Sequence, residues 1–252
     1  MKIRELKISA KQKLSSCFKL VITINFLHLI ITLALSFLDS KTTGILQTII
    51  AIIIAIINIA LGYGLTASML KLSRNENVEI SDFIKIGFKN FKRALFLSLS
   101  ILVRLLIPII LISAATLLPS IQIFMNIFGV HSADVISIFA LVIIFGGLIY
   151  LFYKILSYAL STYLLIDNPE LTSKEILKTS AELMKGNKLK FIGLVFSFFG
   201  WLLVVSFLGV LAAIISESLG TLVIYGLSLL LTPYITFSEI NFYEDLVDVS
   251  KN

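Results

Sequence analysis

Residues 44–70 read GILQTIIAIIIAIINIALGYGLTASML, and 49–57 within them is almost purely aliphatic. A helix needs about 20 mostly apolar residues to cross a hydrocarbon core. A membrane barrel would show short alternating segments instead, so this run reads as a transmembrane helix. Five more runs repeat the pattern, at 18–38, 95–118, 134–166, 191–215 and 219–240. The sequence therefore predicts an all-α fold, a polytopic six-helix transmembrane bundle forming one domain over 1–252. The 134–166 run is too long for one perpendicular helix at about 1.5 Å per residue. Gly146 and Gly147 mark the expected kink. The apolar but interrupted stretch 119–133 reads as an interfacial or re-entrant segment, or as the lip of the third span.

Composition agrees with this reading. The chain is 58% hydrophobic and 14% charged, with mean hydropathy +1.01, whereas soluble domains are nearer half apolar and a quarter charged. Lipid is the expected solvent and membrane lipids the expected partners. The net charge of +6 lies between apolar runs. It suits an anionic membrane surface, and nucleic acid is not an expected partner. Cys17 is the only cysteine, so no internal disulfide and no Cys/His zinc site can be built. The charged segment 1–16 is followed by no small-residue cleavage pattern, so the first span is expected to stay as a signal anchor. Abundant Ile and Lys hint at an AT-rich bacterial genome.

Basic residues alternate between loops. Lys2, Arg4, Lys7, Lys11, Lys13 and Lys19 precede or open the first span. Lys71, Arg74, Lys85, Lys89, Lys92 and Arg93 lie between the second and third. Lys174, Lys178, Lys185, Lys188 and Lys190 lie between the fourth and fifth, whereas the opposite loops hold only Lys41. This asymmetry places both termini in the cytoplasm of a multi-pass protein of the bacterial cell membrane. Three of the basic segments carry amphipathic helix patterns. Ile3, Leu6, Ala10, Leu14 and Cys17 form one stripe, and Phe83, Ile84, Gly87, Phe88 and Phe91 another, with Ser81 as its expected cap. Ile176, Leu177, Leu183 and Met184 form the third, with a Thr172/Glu175 capping box and a stop at Gly186. Apolar stripes opposed by lysines suit cytoplasmic interfacial helices in the headgroup layer; the alternative is that each packs on the cytoplasmic end of the bundle.

Several short motifs follow one another in order. They are Gly62-Tyr63-Gly64-Leu65, Ser157-Tyr158-Ala159, Asp167-Asn168-Pro169, Ala181-Glu182-Leu183-Met184-Lys185-Gly186-Asn187-Lys188, Phe198-Phe199-Gly200-Trp201, Pro233-Tyr234 and Asn241-Phe242-Tyr243-Glu244-Asp245-Leu246. As an ordered set covering most of the chain, they resemble the bacterial integral membrane family catalogued as domain of unknown function nine-seven-five. The resemblance implies a fold type and a bacterial membrane location. It implies no activity and no catalytic residues. The family usually carries an Ile-Pro-Gly turn in the fourth span, where this chain has Phe145-Gly146-Gly147.

No acid, base and nucleophile converge in the sequence, so no enzyme, cofactor or metal site is expected. The intramembrane cations carry the remaining signal. Arg104 in the third span and Lys154 in the fourth are expected to face the bundle interior and share a polar space with Asn58 or Glu239. An ionised group at mid-bilayer costs about 2.5–3.5 kcal/mol on insertion scales. The alternative is that both cations snorkel to the headgroups, or reach Glu239 or backbone carbonyls. Trp201, about ten residues into its span, is expected to mark helix packing. The expected function is a non-enzymatic membrane protein binding or moving an anionic or amphipathic ligand, such as a lipid or hydrophobic peptide. The alternative is a structural or accessory subunit docked on another membrane protein complex. On a Cys17-free background, single cysteines replacing Lys89 or Lys185 are expected to be shielded from impermeant thiol reagents in intact cells, and one replacing Lys41 to be labelled. External labelling at 185 would overturn the orientation.

Overall fold

The computed structural model describes the backbone of residues 1–127 and 133–251, and the side chains of 1–117 and 138–249. His131 lies outside them. Among the described residues all regular structure is helical: α1 (Ile3–Ser40), α2 (Gly44–Ser73), α3 (Asp82–Lys89), α4 (Phe91–Ile127), α5 (Ala133–Ser157), α6 (Ser161–Asp167), α7 (Ser173–Leu183), α8 (Lys188–Phe196), α9 (Phe199–Ile215) and α10 (Glu217–Lys251). Six segments are long and apolar enough to cross a membrane: α1, α2, α4, α5 continued by α6, α8 continued by α9, and α10. The chain is thus an all-α, multi-pass membrane protein. The stretch from 119 is helical as far as Ile127, as the lip of the third span.

The six spans pack in the order α5, α4, α2, α1, α10, α9, each against its neighbour. The buried core lies toward the end where the two termini meet, with Leu6, Leu14, Met69, Leu165, Ile176, Phe237 and Tyr243 among its members. Residues near the opposite, far end are open to the surroundings, such as Ile45 (82% exposed) and Ile215 (79%). This polarity has a physical cause. Lipid tails are as apolar as leucine, so burying leucine against leucine gains little inside the bilayer. Where water reaches the protein, the hydrophobic effect acts again.

The amphipathic segments are helical, but two of them spend their apolar stripes on the protein. Leu6, Ala10 and Leu14 of α1, and Ile176, Leu177 and Met184 around α7, are buried in the core, so these stripes do not rest on lipid. Cys17 leaves helical geometry (φ −120°, ψ 16°) and bends α1 where its amphipathic part meets its apolar part. Thr172 and Glu175 form the expected capping box, and Gly186 turns the chain at φ +82°. Ser81 makes no capping bond on α3; the Asp82 carboxylate accepts from the Glu79 N–H instead, at 2.9 Å.

The fourth span differs from expectation. α5 runs helically through Gly146 and Gly147, and the interruption comes at 158–160. Gly147 is a packing glycine: a Cβ there would stand 2.6 Å from Cγ1 of Ile112 on α4. The true break is held by hydroxyls. Ser161 donates to the Tyr158 carbonyl (2.6 Å), and Ser180 of α7 donates to the Ser157 carbonyl (2.9 Å). The fifth span is interrupted at Ser197 and Phe198, where Lys7 donates to the Ser197 carbonyl at 3.1 Å. Trp201 does not pack between helices; it is 59% exposed on α9.

α3 crosses α2 through two glycines. A Cβ on Gly64 would overlap the Phe83 carbonyl oxygen, and one on Gly87 the Ala60 carbonyl oxygen. Both obstacles are backbone, so neither can swing aside. Gly64→Ala and Gly87→Ala are each expected to destabilise the protein by about 1–3 kcal/mol, the usual cost of overpacking. Gly62→Ala, which meets open space, should be neutral or mildly stabilising. Thermal melting in detergent checks the contrast, and equal effects at 62 and 64 would refute the crossing.

Candidate functional site

The termini end is tied by one polar network. Arg74, just past α2, donates from both terminal nitrogens to the two oxygens of Asp167 on α6, at 2.8 Å each. Its Nε donates to Glu244 of α10 at 3.1 Å. Glu244 also receives Lys13 of α1 (2.9 Å), which reaches Asn241 (2.8 Å). Asn241 donates to the Leu6 carbonyl, and Tyr243 donates to Asp167 at 2.8 Å. Next to it, Asp245 holds both the N-terminal ammonium (2.8 Å) and Lys190 (2.9 Å). Asp167 thus meets the motif residues Asn241, Tyr243, Glu244 and Asp245 although it lies far from them in sequence. Hydrogen bonds that Arg74 donates to the Asp167 carboxylate, reinforced by Glu244, push the Arg74 pKa further above its ordinary value. A cleft of about 640 Å³ opens beside this network, lined by Arg74, Asp167, Asn168, Tyr243, Glu244 and Asp248. Its one cation is committed to carboxylates, so the cleft is no anion receptor.

The four residues singled out from the sequence are not brought together. Asn58 lines a separate cleft of about 280 Å³ with Ser98 of α4 and Thr162 of α6. Glu239 accepts from Tyr163 at 3.4 Å, and Tyr163 stacks on Tyr243. Arg104 donates to the Ser100 carbonyl of its own helix, at 2.8 Å. Lys154 lies in the last turn of α5, 5.4 Å from the Tyr150 ring centroid and 5.9 Å from that of Tyr158. It is not deep. Lys188, at the start of α8, reaches the Tyr153 ring face (3.2 Å), so the α7–α8 connection stands level with Lys154.

A second feature went unread in the sequence. Ser218, Thr221, Tyr225, Ser228 and Thr232 recur at spacings of three and four on α10, which puts them on one face. Asn25, His28 and Thr32 do the same on α1. The two stripes line one groove between α1 and α10. It consists of cavities of about 650 and 230 Å³ that share Leu29, Tyr225 and Leu229. Glu217 stands at its far-end mouth. Thr32 donates to the His28 carbonyl (2.9 Å), Asn25 to the Val21 carbonyl (2.8 Å) and Thr221 to the Glu217 carbonyl (3.0 Å). Among the described residues the hydroxyls of Tyr225, Ser228 and Thr232 make no hydrogen bond. The three-and-four spacing was the available signal, and the charges drew attention away from it. Among the described residues no three of His, Cys, Asp and Glu converge on a metal-sized space.

Arg74 supplies a planar fork that a lysine point charge cannot reproduce. Arg74→Lys and Asp167→Asn are each expected to lower stability by about 2 kcal/mol, the scale of hydrogen bonds to charged groups. Chemical denaturation in mild detergent checks this. In the Arg74→Ala, Asp167→Ala cycle the two effects should fall short of additivity; strict additivity would show that the pair contributes nothing.

No curated protein and no solved structure matches the chain. A family model described as protein of unknown function (DUF975) matches residues 1–250. The match takes in every element of the network and the groove, so the chain belongs to the DUF975 family.

Proposed function

We propose that this is a non-enzymatic membrane protein that binds, and can move, an amphipathic ligand in the groove between α1 and α10. The ligand class is a lipid or a hydrophobic peptide. One observation carries the reading: Tyr225, Ser228 and Thr232 present unpaired hydroxyls to a groove within the apolar part of the chain. Unsatisfied polar groups are costly where water is scarce. A ligand with a polar head and an apolar body meets both linings, hydroxyl and leucine. The groove volume falls in the range of small-molecule sites. The groove reading replaces the Arg104 and Lys154 cavity, since those two residues stand apart from Asn58 and Glu239.

The lysine and arginine excess supports a cytoplasmic placement of the termini end in a bacterial cell membrane. The groove mouth at Glu217 then faces outward, and Asn25 and Thr232 lie toward the cytoplasmic half. Native mass spectrometry of protein purified from its own membrane tests the assignment. The wild type should retain a lipid or peptide adduct. Gly226 has open space where a side chain would project into the groove. Gly226→Phe, and the combined Tyr225→Phe, Ser228→Ala, Thr232→Val variant, should retain it at least about tenfold less, roughly 1.4 kcal/mol, with unchanged melting temperature. An adduct-free wild type, or full retention in both folded variants, would overturn the reading. A stoichiometric polypeptide spanning the membrane would instead favour the accessory-subunit role.

A further inference from the structure

We infer that the end of α5 and the start of α8 form a binding surface for an anionic phospholipid, at a site separate from the groove. The surface is built from three lysines and three tyrosines. Lys188 lies 3.2 Å from the centroid of the Tyr153 ring, and Lys154 lies between Tyr150 and Tyr158. Lys185 lies three residues before Lys188, in the basic connection from α7 to α8. Among the described residues no acidic side chain pairs with any of these three lysines. This sets them apart from Lys13, Arg74 and Lys190, whose charges are taken up by carboxylates.

The setting specifies the occupant. Lys188 opens the fifth span and stands over Tyr153 near the end of α5, so the patch sits where that span meets the basic connection from α7. Tyrosines are enriched at that level of a membrane, with ring in the apolar layer and hydroxyl in the headgroups. Next to the charges, Phe152 (52% exposed) and Leu189 (82%) offer apolar surface. Ammonium groups fit a phosphodiester, tyrosine hydroxyls fit glycerol and ester oxygens, and the apolar neighbours fit acyl chains. A free phosphate would satisfy only the first of these, and a soluble acidic protein would leave the aliphatic flank in water. Basic recesses between spans are known places for anionic headgroups.

The position also gives the lipid a structural role. The packing series of spans begins at α5 and ends with α9, which continues α8. Lys154 belongs to one end of that series and Lys188 to the other. One phosphodiester held by both bridges the two ends.

The test uses the full chain in nanodiscs of phosphatidylcholine with one-fifth phosphatidylglycerol, from which protein and attached lipid are released for native mass spectrometry. The wild type is expected to carry phosphatidylglycerol enriched over its share of the bilayer. Lys154→Gln with Lys188→Gln should reduce that enrichment about tenfold, whereas Lys154→Arg with Lys188→Arg should keep it. Excess inorganic phosphate should not displace it, which separates a lipid site from a phosphate site. Gly226→Phe should leave the enrichment intact, so failure here and failure of the groove are distinguishable. No enrichment in the wild type, or equal enrichment in the folded Gln variant, overturns the inference. If the Gln pair does not fold, the wild-type measurement and the phosphate competition still decide it.

Discussion

The hold of Arg74 on Asp167 and Glu244 is the constraint on which the rest of the structure depends. Three donors of one rigid group fix the ends of α2, α6 and α10 at a single point. Lys13 extends the grip to α1 through the same Glu244. Helices inside a bilayer receive no hydrophobic drive to associate. Here the ends that reach water are bound by charge-assisted hydrogen bonds and by a core of ordinary soluble character. The partner side chains are a quarter to a third exposed, so no charge is fully desolvated. That avoids the large penalty that can cancel the gain of a deeply buried pair.

Deeper along the spans, small residues take over. Gly147 lets Ile112 approach α5, and Gly220 meets Gly209 and Ala213 where α9 and α10 pack. Glycine at such contacts lets backbones draw close and gain dispersion where burial gains nothing. Between α1 and α10 the contact loosens into a groove instead. Its hydroxyls are inexpensive to keep in an apolar setting when they bond to their own helix, as Thr32 and Thr221 do. Tyr225, Ser228 and Thr232 do not take that exit, and the proposed ligand reading rests on that difference.

The legibility of this molecule in its sequence follows the range of the interactions. Span number and helix class were readable because each rests on a local run of residues. The Thr172/Glu175 box and the Gly186 stop were readable because capping is a three-residue affair. The surroundings of Lys154 were not. The sequence places it within the fourth span, 134–166, and only the break at 158–160 and the return through Gly186 set Lys188 beside Tyr153. Gly146 and Gly147 misled because a glycine serves close contact as readily as bending, and only the partner at Ile112 distinguishes the two. The Arg74 and Asp167 pair spans 93 residues, so no spacing rule could find it. The ordered family motifs did mark most of its carboxylate members, without saying what they hold. Trp201 was assigned to packing by its depth, yet a tryptophan facing lipid is as well satisfied as one facing a neighbouring helix.

Closure at one end and openness at the other follow from the same arrangement. A ring of six spans would need α5 and α9 to pack as neighbours. Instead the series begins at α5 and ends at α9, and protein joins its two ends through α7 and α8 at the termini end. The remaining seam lies in the membrane, where lipid is the available filler. A phosphodiester between Lys154 and Lys188 would complete the ring near the headgroups and leave the acyl region open. The α1–α10 groove lies two spans, α10 and α9, from that seam. Any movement of the hairpin α9–α10 that widens the groove must therefore pivot on the fixed termini end, since Arg74, Lys13 and Asp245 hold the base of α10 in place. The network that ties the termini end thus anchors the base of α10, the helix that forms one wall of the proposed groove.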